Sequence, residues 1–136
     1  MVNSDKRNEI IRAFRKFARL GLAEMSLNPI QAYKKIELLC VSRRSRLDML
    51  AVYDTLRLLA LSGEDEVLSA VEGVYFAGKS HRLTRCESSD RISRVALEEF
   101  CDDRTVYRRL EKARALYEKV RAKEGLLLDG IFTDGY

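Results

Sequence analysis

Apolar residues recur along this chain at intervals of three and four, the repeat of one helix face. Between Ser4 and Leu20 the stripe is Ile10, Ile11, Phe14, Phe17 and Ala18, and the opposite face is basic: Arg7, Arg12, Arg15, Lys16 and Arg19. The expected structure is an amphipathic helix docked on its own protein, with its lysines and arginines solvated. Asn28 followed by Pro29 marks a second start, because asparagine caps free amides and proline needs no hydrogen bond at the first helical position. That helix is expected to reach about Val41. The polar run Ser42–Arg46 makes a break, with Ser42 or Ser45 as the next cap. Residues 47–61 are apolar almost all round, which predicts a central buried helix. Gly63 ends it, and Ser62 with Asp65 resembles a capping box. A further helix carries Val67, Leu68, Val71, Val74 and Tyr75 and stops at Gly78, while residues 79–89 read as a loop. A helix then starts at Ser89 or Asp90, turns Ile92, Val95, Ala96 and Phe100 inward, and ends near Cys101. Asp102 caps the last long helix, 103–123, whose stripe is Val106, Leu110, Ala113, Tyr117 and Val120; Gly125 stops it.

The expected fold class is therefore all-α, a multi-helix bundle with a C-terminal helix-turn-helix. Three segments follow: a helical body over 1–78, the helix-turn-helix over 79–123, and an apolar, acidic tail over 124–136, together one compact domain. The tail is expected to pack on the core or on a second copy. Composition agrees with a chain that buries a core: 46% of its 136 residues are apolar and only one is proline. The net charge of +4 decides little, but its distribution is informative. Residues 1–78 hold 12 Lys/Arg against 10 Asp/Glu, residues 79–123 hold 13 against 8, and residues 124–136 hold none against 3. The basic excess lies in the helix-turn-helix segment.

The candidate chemistry is sparse. Cys40, Cys86 and Cys101 are far apart and odd in number, which reads as reduced thiols and a cytoplasmic chain. His81 with Cys86 and Cys101 matches no zinc spacing and lacks a fourth ligand, so no metal is expected. No apolar run approaches the roughly 18–20 residues of a membrane span, and no membrane partner is expected. No glycine-rich phosphate loop, paired carboxylates or nucleophile–histidine arrangement is present, so neither an enzyme nor a cofactor is expected.

What remains is the pair of helices around Asp102. A helix-turn-helix needs a small residue where the second helix crosses the first, and an aliphatic plug about ten residues later. Ala96 and Val106 meet that spacing, with Ile92, Phe100 and Leu110 completing the packing. Arg104, Thr105, Tyr107 and Arg108 then face outward from the first turns and are the expected base contacts. Arg91, Arg94, Arg109 and Lys112 are the expected phosphate contacts.

The same residues carry a family resemblance. Thr105-Val106, Arg109-Leu110, Ala113-Arg114 and Leu116 resemble sigma factor region 4, particularly the extracytoplasmic-function type, and phage late-transcription regulators of the ArpU kind. The likeness spans residues 64–121 at its widest and 91–117 where it is closest. It implies a cytoplasmic transcriptional regulator of bacterial or phage origin that binds double-stranded DNA, with RNA polymerase and a second copy as further candidate partners. The chain departs from the family at the turn, where Phe100 stands in place of a glycine or small polar residue. It also carries two carboxylates, Asp102 and Asp103, at the mouth of the reading helix, and no sigma region 2 is recognisable. The alternative reading is a helical protein-interaction or dimerisation module whose helix-turn-helix is vestigial.

Overall fold

The computed structural model describes residues 2–23, 28–77 and 85–133, with side chains placed over 5–23, 28–77 and 86–124. Among these residues the fold is entirely helical: α1 (Val2–Arg19), α2 (Pro29–Leu39), α3 (Arg43–Leu61), α4 (Asp65–Val71) running into a π-helical turn (Glu72–Phe76), α5 (Arg85–Glu98) and α6 (Asp103–Thr133). α6 is the spine, about 45 Å long at 1.5 Å per residue, and packs on α1, α3, α4 and α5. α2 lies at the edge and packs on α3 alone among the described helices.

One buried cluster joins everything. It runs from Ile10 in α1 to Tyr117 in α6 and includes Ile92, Val95, Ala96, Val106 and Leu110, so the N-terminal body and the last two helices share a single core. Its centre is aromatic. The Phe14 ring lies 5.6 Å from that of Tyr75 and 5.6 Å from that of Tyr117, in tilted contacts. Phe17 stacks on Phe76 at 6.0 Å. The buried Tyr75 hydroxyl accepts a 2.7 Å hydrogen bond from Arg114.

The end of the π turn is held by two arginines. Arg15 of α1, 5% exposed, donates from Nη1 to the carbonyls of Tyr75 and Ala77, both at 2.8 Å. Arg91 of α5 donates to the Val74 carbonyl at 3.0 Å. Helix ends leave carbonyls without intrahelical donors, and cations there also complement the helix dipole. Arg15 thus belongs to the interior rather than to the solvated basic face expected of it. Gly73 sits in the same turn, where an added Cβ would lie 2.4 Å from the Val95 methyl; the missing side chain is what lets α5 approach this closely.

Several boundaries differ from the sequence expectations, each for a local reason. Ser42, not Ser45, caps α3; its hydroxyl oxygen accepts from the Ser45 amide at 3.1 Å. α2 ends at Leu39, because Cys40 is extended. α3 is less buried than its composition indicated, with Leu58 and Leu61 exposed. No capping box forms at Ser62, which ends α3; Glu64 precedes α4 and makes no side-chain cap. The fourth helix closes at Phe76, and Gly78 and His81 fall outside the described residues. α5 begins at Arg85, inside the expected loop, and α6 continues through Gly125 to Thr133. A glycine inside a helix costs about 1 kcal/mol relative to alanine but does not itself terminate one.

Three helices end in the same hydrogen-bonded motif. Leu22 N–H donates to the Phe17 carbonyl and Gly21 N–H to Ala18; Glu64 donates to Leu59 and Gly63 to Ala60; Cys101 donates to Ala96 and Phe100 to Leu97. Each requires a left-handed residue at the reversal. Gly21 (φ 78°) and Gly63 (φ 73°) fill it in the first two, Phe100 (φ 53°) in the third. The expectation that Phe100 turns inward is overturned: it is 97% exposed, because the left-handed backbone swings its Cβ away from the core. Phe100→Gly is therefore expected to raise stability by about 1 kcal/mol in urea unfolding, since it removes the Cβ strain and uncovers no apolar contact.

A second expectation concerns α6 and α3. The Glu124 carboxyl is pushed up to about 9, first by burial, then by its hydrogen bond to Asp54 and that residue's charge, with Arg121 opposing. A carboxyl raised on folding contributes stability that is complete below its unfolded value and is lost as pH rises through the folded value. Stability should fall between about pH 5 and pH 9. In Glu124→Gln, which imitates the protonated form, thermal unfolding should lose most of that dependence.

Candidate nucleic-acid interface

The turn between α5 and α6 is four residues long, 99–102, and its geometry follows from three local features. The left-handed Phe100 reverses the chain. Ala96 and Val106, both buried, allow the helices to touch. Asp102 then starts α6: one carboxylate oxygen accepts the Thr105 amide at 2.9 Å and the Thr105 hydroxyl at 2.8 Å. These bonds, the amide first, hold the Asp102 carboxyl below its usual range, with Arg104 and Arg108 adding to the effect. Asp103 accepts a 3.1 Å hydrogen bond from the Ser93 hydroxyl, tying the start of α6 back to α5. Both carboxylates at the helix mouth thus have structural partners.

The expected base contacts separate into two kinds. Arg104, Tyr107 and Arg108 are exposed and share one face of α6, opposite the buried Val106, Leu110 and Ala113. Thr105 is half-buried and its hydroxyl is engaged by Asp102. Tyr107 adds an exposed aromatic ring beside the two arginines on that face.

The expected phosphate contacts are less uniform. Arg94 is exposed on α5. Arg91 is 12% exposed at its side chain and is spent on the Val74 carbonyl and on Glu87 at 3.5 Å. Arg109 is 16% exposed at its side chain; it pairs with Glu66 at 3.2 Å and lies 3.8 Å from the Cys101 sulfur. Lys112 pairs with Glu64 at 2.6 Å. Arg91 and Arg109 are therefore partly buried cations that join α5 and α6 to α4 and its π turn. Of the expected packing residues, Ile92, Ala96, Val106 and Leu110 are in the core and Phe100 is not.

The residues that sequence reasoning missed are the acceptors. Glu64 and Glu66 lie 48 and 43 positions before their partners, so no local spacing announces the pairs. Arg15 did carry a signal, since it follows Ile11 by four positions and precedes Ala18 by three, within the apolar stripe.

A groove of about 540 Å³ lies elsewhere, between α1, α3 and α6. Its polar walls largely satisfy one another: Lys6 pairs with Glu118 at 3.6 Å, Arg121 with Asp48 at 2.8 Å, and Lys16 hydrogen-bonds Ser45. Among the described residues there is no cluster of metal-ligating side chains, and no helix is long and apolar enough to cross a membrane.

No family model, curated protein or solved structure matches this chain.

The start of α6 depends on the Asp102 cap. Asp102→Ala should speed hydrogen exchange at the Thr105 amide and lower the melting temperature, whereas Asp102→Asn, which keeps an acceptor oxygen, should lose less. Because the carboxyl is depressed, its contribution is present above its unfolded value and disappears as pH falls through the folded one.

Proposed function

We propose that this protein binds double-stranded DNA through the α5–turn–α6 unit, set as a helix-turn-helix with the first turns of α6 in the major groove, and that it acts as a transcriptional regulator. The observation that carries the reading is the joint geometry of the turn. A left-handed residue stands four positions after the buried Ala96, where the region-4-like family has glycine, and a basic-aromatic face, Arg104, Tyr107 and Arg108, is exposed immediately after the capped start. Arginine on such a face bonds guanine edges bidentately and holds phosphate. Arg94 supplies the adjacent phosphate contact. Arg91 and Arg109 position the unit instead of touching DNA, and Lys112 would have to leave Glu64 to reach a phosphate.

The family resemblance supports a regulator of bacterial or phage origin that works in the cytoplasm, with RNA polymerase as a further partner. A second reading, a helical interaction module, is favoured by a different observation: the large apolar side chains exposed on α2.

The test is fluorescence anisotropy with a labelled mixed-sequence duplex. Affinity should fall at least about tenfold between about 50 and 200 mM salt as bound phosphates release counterions. Arg104→Ala and Arg108→Ala should each weaken a selected site by about 1–3 kcal/mol without unfolding the protein. Absence of binding at low salt, or unchanged affinity in both variants, would overturn the reading.

A further inference from the structure

Among the described residues, the outward face of α2 gathers several exposed apolar side chains. Ile30 is 67% exposed, Leu38 84% and Val41, just past the helix end, 90%; Tyr33 is exposed beside them. α2 packs on α3 alone among the described helices, and of its six apolar residues only Ala32 and Ile36 are buried. Scattered exposed apolar residues are ordinary, but several on one short helix mark a contact surface. Tyr33 reaches Asp54 at 3.2 Å, and Arg46 donates to the Cys40 carbonyl at 2.9 Å, which sets α2 antiparallel to α3. The Ile30 end therefore lies toward the C-terminal end of α3, where Leu58 and Leu61 extend the apolar surface.

The charges on this face identify the occupant. Lys34 and Glu37 stand among the apolar residues, both exposed, and among the described residues neither forms an ion pair. Turning α2 end for end about the midpoint between residues 35 and 36 exchanges Lys34 with Glu37 and Tyr33 with Leu38 within the helix, and sets Ile30 opposite Val41 in the segment just past the helix end. Cation meets anion, and apolar meets apolar, at all three pairs. A surface that matches its own reversal is what a two-fold interface requires, since the same patch must serve both partners.

We infer that α2 is a self-complementary docking face for a second copy of this chain, two α2 helices packing antiparallel with two reciprocal Lys34–Glu37 ion pairs flanked by Ile30, Tyr33, Leu38 and Val41. This does not depend on DNA binding, and its test uses none. The contact is isologous and closed, so it yields a dimer rather than a polymer.

Sedimentation velocity of the full chain up to about 100 µM, above the micromolar range of modest interfaces, should give a mass twice that of one chain. Leu38→Asp should give one chain's mass with an unchanged helical circular dichroism spectrum. Lys34→Glu places carboxylates opposite carboxylates and Glu37→Lys places ammonium opposite ammonium. Each should raise the dissociation constant at least about tenfold. An equimolar mixture of those two variants should recover the dimer, because every cross pair is then opposite in sign. A wild-type chain that stays single at the highest concentration overturns the inference. So does a dimer that survives Leu38→Asp, or a charge-variant mixture that does not reassociate. The mixture keeps the test decisive should Leu38→Asp prove unfolded.

Discussion

Two guanidinium groups at the end of one helix organise this molecule. The carbonyls of Val74, Tyr75 and Ala77 leave the π turn pointing at α1 and α5, and Arg91 and Arg15 meet them there. A buried carbonyl without a donor costs about 1–3 kcal/mol, and charge-assisted bonds are the stronger kind. Burying Arg15 carries its own cost. Its basicity is lowered first by loss of solvent and then by the nearby Arg91 charge, and Glu87 offsets part of this. The arrangement holds because several helices contribute to it at once. Arg15 and Arg91 reach the carbonyls from two helices, Gly73 lets Val95 close in, and the aromatic cluster around Phe14 packs against Tyr75 of the turn.

That constraint sorts the arginines. The segment that looked basic in the sequence spends part of its charge internally: Arg91 on the π turn, Arg109 on Glu66, Arg114 on Tyr75 and Arg121 on Asp48. These side chains fix where α5 and α6 lie against the body. Among the described residues around the turn, the exposed positive charge is Arg94, Arg104 and Arg108, carried on helices whose other faces are locked into the core. A rigid scaffold under a few exposed cations is what positions contacts on a duplex, whereas a uniformly solvated basic face would only attract one.

The helical periods were legible because apolar spacing is a local signal: the stripe Val106, Leu110, Ala113, Tyr117 is buried as its intervals required, and Asn28, Ser42 and Asp102 cap helices as their chemistry requires. The misreadings have a common cause in tertiary context. Arg15 was assigned to solvent because arginine is normally exposed, yet its acceptors lie sixty or more residues away. Gly125 was read as a stop, although glycine ends a helix only where the chain turns left-handed. Phe100 was read as core because it is large and apolar. Its backbone, not its hydrophobicity, decides where it points. In the candidate site the exposure of Arg104, Tyr107 and Arg108 followed from helix period alone, while Thr105 turned out half-buried under the Asp102 cap. The internal partners of Arg109 and Lys112 did not, because pairing across 43 and 48 residues leaves no sequence pattern.

The α5–α6 turn and the outward face of α2 belong to different parts of the fold, and that separation has a physical basis. The α5–α6 turn is anchored to the core through Ala96, Val106 and Leu110, so a change there is felt by the whole cluster. Among the described helices α2 touches only α3, through a short inner face. A helix held so lightly adds little to the body that three others would not supply. Its outer face, with Ile30, Leu38 and Val41 in water, works against solubility unless something covers it. A second α2 in reverse orientation covers it without asking anything of the core. Each recognition unit would then keep the geometry set by its own arginines, and pairing would double the number of such units without altering either one.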